Sequence, residues 1–188
     1  LDAALIFDSP GCDTALLNDK TLKKAVLAAD LLLWVCAAHR PDRQAERETL
    51  DAARRWLAAR PDRHPPPLLI VVSHIDQLRP PREWQPPYDL LNPQGPKAAN
   101  IRAAVERIAV DLAVPVADVI PVCLAEGRVY NVADTLWAAL LDRQDEAGKV
   151  RFLRCLAQRQ REENWTLLRQ QLANAGRWLT TLPGRVLG

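Results

Sequence analysis

The chain has 188 residues, 48% of them hydrophobic and 26% charged, the balance of a globular domain rather than a disordered segment. The longest uninterrupted apolar run, Leu31 to Ala38, has eight residues, against the roughly 20 that a membrane-spanning helix needs. The net charge of +2 hides an asymmetry: residues 1–148 carry 17 Lys/Arg against 21 Asp/Glu, while residues 149–188 carry 8 against 2.

Four short apolar runs alternate with amphipathic stretches. The runs are Leu1–Phe7, Leu31–Ala38, Leu68–Val72 and Val119–Val122, and continuous apolar character in so few residues predicts strands buried on both faces. Between them, Leu22, Ala25, Val26 and Ala29 share one helical face, as do Ala45, Thr49, Ala52, Trp56 and Leu57. Ile101, Val105, Ile108 and Leu112 repeat the spacing, with Pro96 placed where a first turn tolerates proline, and Val132, Leu136 and Leu140 follow. The alternation predicts an α/β fold of three layers, a mainly parallel sheet with helices on both faces. Residues 77–96 hold six prolines together with Trp84 and Tyr88, and are expected to form a structured loop. Residues 145–188 read as a basic helical extension, which sets an expected domain boundary at 144/145.

The four cysteines, Cys12, Cys36, Cys123 and Cys155, contain no C-x-x-C pair. Their scatter points to free thiols and a cytoplasmic protein. A zinc site built from Cys12, Cys36, Cys123 and His39 would lack a chelating pair, and Cys36 to Arg43 misses the C-x5-R spacing of a cysteine phosphatase by one residue.

Ligands of open α/β sheets bind at the carboxyl ends of the strands. The residues there are Asp8-Ser9-Pro10-Gly11, His39-Arg40, Ser73-His74-Ile75-Asp76 and Cys123-Leu124-Ala125-Glu126-Gly127. In this order they resemble three signatures of P-loop GTPases: D-x-x-G, [NT]-K-x-D and S-A-[KL] with a nearby glycine. Within that family the likeness is to the Era-like bacterial group, and the Glu83-Trp84-Gln85-Pro86-Pro87-Tyr88-Asp89 stretch with Pro96-Lys97 is similar to one of its subgroups. The resemblance spans residues 1 to about 142, so residues 1–144 are expected to be a portion of a GTPase domain. It implies GTP or GDP as ligand and Mg²⁺ as cofactor, with hydrolysis driving a switch in residues 12–20 of the complete protein.

It also implies roles for single residues. Asp8 would hold Mg²⁺ through a water, and Gly11 would bring its N–H to a terminal phosphate without a side chain intervening. Asp76 would accept hydrogen bonds from the guanine N1–H and exocyclic amine, Leu124 would offer its N–H to O6, and Cys123 would stand in the fifth motif. Taken without the resemblance, Asp8 could instead open a strand-to-turn junction, and Asp76 could cap a helix.

This chain departs from the family pattern at several positions. His74 replaces the lysine whose stem covers the guanine, and its flat ring could stack instead, while Ser73 keeps only a hydroxyl where Asn or Thr is usual. Cys12 stands where many GTPases carry the glutamine that orients the attacking water. The phosphate-cradling G-x-x-x-x-G-K-[ST] sequence occurs nowhere in the 188 residues. With an opening leucine and no methionine, this leads to the expectation that the chain is a piece of a longer protein whose phosphate loop lies upstream. The basic stretch 149–188 could meet ribosomal RNA or an anionic membrane surface; no DNA partner is expected. The competing reading is a non-catalytic α/β module that binds another protein through that tail.

Overall fold

A computed structural model describes residues 20–60 and 64–143. They fall in two compact units, 20–131 and 132–143. The runs expected around Asp8 and Gly11 and in the 149–188 tail, and the boundary at 144/145, lie outside the described residues.

The larger unit is a general α/β fold. Three parallel strands, β1 (Leu32–Ala37), β2 (Leu68–Ser73) and β3 (Val119–Pro121), lie in the order β1-β2-β3. The register aligns Leu32 with Leu68 and Ala37 with Ser73, and Ile70 with Val119 through Val72 with Pro121. Three helices accompany them: α1 (Lys20–Ala28), α2 (Gln44–Ala58) and α3 (Gly95–Asp111). The first three helical spacings named above fall on these three, and Pro96 sits in the first turn of α3.

Both β-to-β connections step in the same direction across the sheet, and parallel crossovers share one hand. Accordingly α2 and α3 pack on one face. Leu50 of α2 and Ile101, Val105 and Ile108 of α3 enclose Cys36, Ile70, Val72 and Val119 in a single core. Trp34 and Leu68 pack against its edge. Burying side chains of this size contributes about 1.5–3 kcal/mol each. α1 lies beside α2, where Leu22 and Val26 meet Ala53 under Trp56, Leu57 and Leu32.

The helices described in this unit that pack on the sheet share one face. One expectation changes here: β1 is not buried on both faces, since Leu33 is 44% and Val35 59% exposed, whereas Cys36 is fully buried. As the last strand of the described sheet, β1 alternates, while central β2 is apolar and buried on both sides. Continuous apolar sequence does not distinguish these two cases.

The end of α3 is tied down twice. Ala113 adopts the left-handed conformation (φ 50°). Its N–H reaches Val110 O at 3.2 Å, and the Val114 N–H reaches Ala109 O at 2.9 Å, the paired bonds of a Schellman motif. Arg54 from α2 then donates to Leu112 O (2.8 Å) and Ala113 O (3.1 Å), which places a cation on the negative end of the helix dipole. The smaller unit opens with a π-helical turn, Val132–Leu136, and continues as α4 (Trp137–Asp142). The expected helix at Val132, Leu136 and Leu140 is therefore present with a widened first turn. Among the described residues, no helix is long and apolar enough to cross a membrane.

An alanine in the left-handed position carries a Cβ penalty of about 1–2 kcal/mol that glycine avoids. Ala113→Gly is expected to stabilise the protein by about 1 kcal/mol in urea denaturation, with the m-value unchanged.

Candidate functional site

The parallel register brings the carboxyl ends of all three strands to one edge. Ala38 N donates to Ser73 O and Val122 N to Val72 O, each at 2.8 Å. His39-Arg40, Ser73–Asp76 and Cys123–Gly127 therefore leave the sheet side by side.

Ser73 is buried at the end of β2, where its hydroxyl lies 3.2 Å from Cys36 O and 2.9 Å from His74 Nδ1. His74 turns the chain through a left-handed residue (φ 59°, ψ 32°) into a short 3-10 turn, Ile75–Gln77. Ile75 anchors that turn in the core with no exposed surface. Asp76 follows, half-buried. The sequence alternative of a helix cap does not describe it, because no side chain caps this turn and the N-terminal position is His74.

Asp76 meets the Cys123 segment. The Cys123 thiol is fully buried and lies beside Asp76, close enough to feel its charge. Burial is the main cause that pushes this thiol above its ordinary value, with Asp76 adding to it, so Cys123 stays protonated at neutral pH. The loop that follows is closed by a two-way bridge: Cys123 N to Tyr130 O at 3.2 Å and Tyr130 N to Cys123 O at 3.0 Å. Within it Gly127 takes φ 69°. Leu124 is 67% exposed, and no described residue accepts its N–H.

The proline-rich loop supports this edge from the side. Trp84, Tyr88 and Tyr130 meet edge to face with centroids 5.7–6.1 Å apart. Tyr88 N donates to the Tyr130 hydroxyl at 3.1 Å. Beneath them Lys97 of α3 has no exposed surface, and its ammonium reaches three carbonyls: Asp76 O (2.7 Å), Leu78 O (2.6 Å) and Pro80 O (3.3 Å). An ammonium has three N–H donors, and all three are used. Its Nζ also lies 5.8 Å from the Trp84 ring centre. Burial lowers the Lys97 pKa from 10.5, opposed by the nearby Asp76 charge.

Among the predicted site residues, Ser73, His74, Asp76, Cys123 and Leu124 are brought to one edge, with Asp76 and Cys123 in contact. Asp8, the expected Mg²⁺ residue, and Gly11 lie outside the described residues. Among the described residues, no group of three His, Cys, Asp or Glu side chains is placed to hold a metal ion. Sequence reasoning missed Lys97 as the organiser of the edge. The signal was its phase: Lys97 stands four residues before Ile101, on the stripe that α3 buries.

Comparison with protein-family models, with curated proteins and with solved structures gave no match.

Lys97→Met is expected to cost about 2–4 kcal/mol, since three carbonyls lose their partner in a buried place. Hydrogen exchange should show the loss concentrated in residues 77–93. Lys97→Arg should not restore stability, because a planar guanidinium cannot aim three donors at these oxygens. Cys123 is expected to resist iodoacetamide at pH 8 in the native protein and to react once urea unfolds it. Rapid native labelling, located by peptide mass spectrometry, would contradict a buried, protonated thiol.

Proposed function

We propose that residues 20–131 form the guanine-reading part of a GTPase-type nucleotide-binding domain, similar to the Era-like bacterial group. The observation that carries this reading is the meeting of Asp76 with the Cys123–Ala125 segment at neighbouring strand ends. A GTPase base pocket joins its fourth and fifth motifs in this way, and the contact links two stretches 47 positions apart in the chain.

The chemistry fits guanine. Guanine offers two adjacent donors, N1–H and the exocyclic amine, to one carboxylate, whereas adenine has no donor at N1. Asp76 is half-exposed, and Lys97 holds it in place through its main-chain carbonyl. The Leu124 N–H is available for the guanine O6. The exposed His74 ring stands where a flat surface could cover the base.

In the complete protein, Asp8 would meet Mg²⁺ through a water and Gly11 the γ-phosphate, with GTP hydrolysis driving a conformational switch. Both assignments rest on the D-S-P-G resemblance. The phosphate-loop motif is absent from these 188 residues, so binding by this chain is expected to be weak and dominated by the base, without turnover of GTP.

Titration of the isotopically labelled chain with GMP and AMP tests the reading. GMP is expected to shift amide resonances of residues 73–76 and 123–127 at lower concentration than AMP does. Asp76→Asn should weaken GMP about tenfold to a hundredfold, the worth of hydrogen bonds to a charged group. It should also favour XMP, because the Asn amide can donate to the xanthine C2 carbonyl. Equal response to GMP and AMP would defeat the assignment and favour a protein-binding module.

A further inference from the structure

The two imidazoles at the ends of β1 and β2 are more tightly arranged than their exposure suggests. His39 and His74 lie with ring centroids 5.3 Å apart and planes inclined at 74°, an edge-to-face pair. Both side chains face solvent, so burial of apolar surface does not account for the pairing.

Ser73 adds a constraint on the proton. Its hydroxyl has one hydrogen, and the Cys36 carbonyl at 3.2 Å can only accept. Where that hydrogen goes to Cys36, the Ser73 oxygen, 2.9 Å from His74 Nδ1, is the acceptor. Nδ1 then carries the proton and Nε2 is the acceptor of a neutral ring, the tautomer the proposal below takes. The backbone supplies a third restraint. His74 is left-handed, a region that non-glycine residues occupy only where their surroundings hold them. Gln77 N to His74 O (3.1 Å) closes the turn over fully buried Ile75.

We propose that Ser73 and His39 are positioning residues that fix the tautomer and tilt of the His74 ring, making it a pre-oriented platform on which a planar heteroaromatic base stacks. The proposal rests on the reading of this edge as a nucleotide site. A ring already held in one orientation loses less freedom when a base settles on it. Stacking tolerates any base, because every base has a π-face, whereas Asp76 distinguishes guanine. Affinity and specificity thereby belong to different side chains.

Two measurements test this. Nitrogen-15 imidazole correlations of the chain, recorded where the rings are neutral, resolve three histidines that single replacements assign. His74 is expected in the Nδ1–H form, with the proton redistributing toward Nε2 in Ser73→Ala. A wild-type His74 in the Nε2–H form, or a tautomer unchanged by Ser73→Ala, overturns the proposal. In titrations with GMP and AMP, His39→Ala and Ser73→Ala should each weaken both nucleotides by a common factor of about two to ten. Asp76→Asn should weaken GMP alone. Equal wild-type affinity for GMP and AMP, with both weakened by His39→Ala, would support the platform while defeating guanine recognition. Unchanged affinities in both ring-supporting variants, or no binding of either nucleotide, overturns the platform.

Discussion

The Lys97 ammonium is the constraint on which the described edge depends. Placing a charge out of water is unfavourable by several kcal/mol unless its hydrogen bonds are replaced, and here three carbonyls from residues 76–80 replace them. Those carbonyls belong to a segment with no regular ladder of its own, so the lysine does for this loop what neighbouring strands do for β2. One of the three is the main-chain oxygen of Asp76, so the position of this residue follows from a cation 21 residues further along the chain. The same ammonium faces Trp84, which meets Tyr88 and Tyr130. Tyr130 in turn closes the loop that begins at Cys123. Loop, aromatic cluster and hairpin bridge thus share one electrostatic anchor. Because desolvation lowers the Lys97 pKa, the unfolded chain holds that proton more tightly than the folded one. Its contribution to stability therefore rises with pH as the window between the lowered value and 10.5 is crossed.

The winding of the sheet decides where such an anchor can act. With strands in chain order and both crossovers on one face, α3 starts directly beside the carboxyl end of β2. Lys97, in its first turn, can then reach back to the residues that leave that strand. The opposite end of α3 is fixed by Arg54 across the Leu112 and Ala113 carbonyls. Two cations, one buried at the start and one bridging from α2 at the end, hold the helix between them. The apolar stripe of Ile101, Val105 and Ile108 supplies the attraction, and the cations set the register.

Much of this architecture was legible in the sequence, and the exceptions share a cause. The strands at 32–37, 68–73 and 119–121 follow from short apolar runs, and α1, α2 and α3 from spacing alone. Those signals are local, since each needs only a dozen neighbouring residues. The exposure of Leu33 and Val35 was not legible, because a strand sequence does not state how many partners it will have. The role of Lys97 was not legible either: its phase marks a buried position, but three accepting carbonyls 17 to 21 residues earlier become visible only after folding. At the site, the order of the motifs selected Ser73, His74, Asp76, Cys123 and Leu124, and the chain does bring these to one edge. Their mutual geometry was not legible, above all the buried Cys123 thiol beside Asp76.

If the chain is the GTPase portion proposed above, its departures from that family's pattern compensate one another. At position 123 the cysteine is fully buried beside Asp76, where burial raises its pKa and keeps it a neutral thiol. Position 73 lacks the carboxamide of asparagine, yet its hydroxyl links the β1 main chain to the His74 ring. Position 74 lacks the flexible lysine stem, and its ring is stiffened instead by His39 from the neighbouring strand end. On the proposed reading, the replacements at 73 and 74 exchange a longer polar group for a shorter one with a fixed partner. Such an edge would recognise a flat ligand through rigidity: the groups that meet the base are already restrained by β1, β3 and α3 before it arrives. The consequence is interdependence. Ser73 is shared between the sheet and the imidazole, and Asp76 between the thiol, the lysine and the base, so no one of these positions could be altered without moving a second.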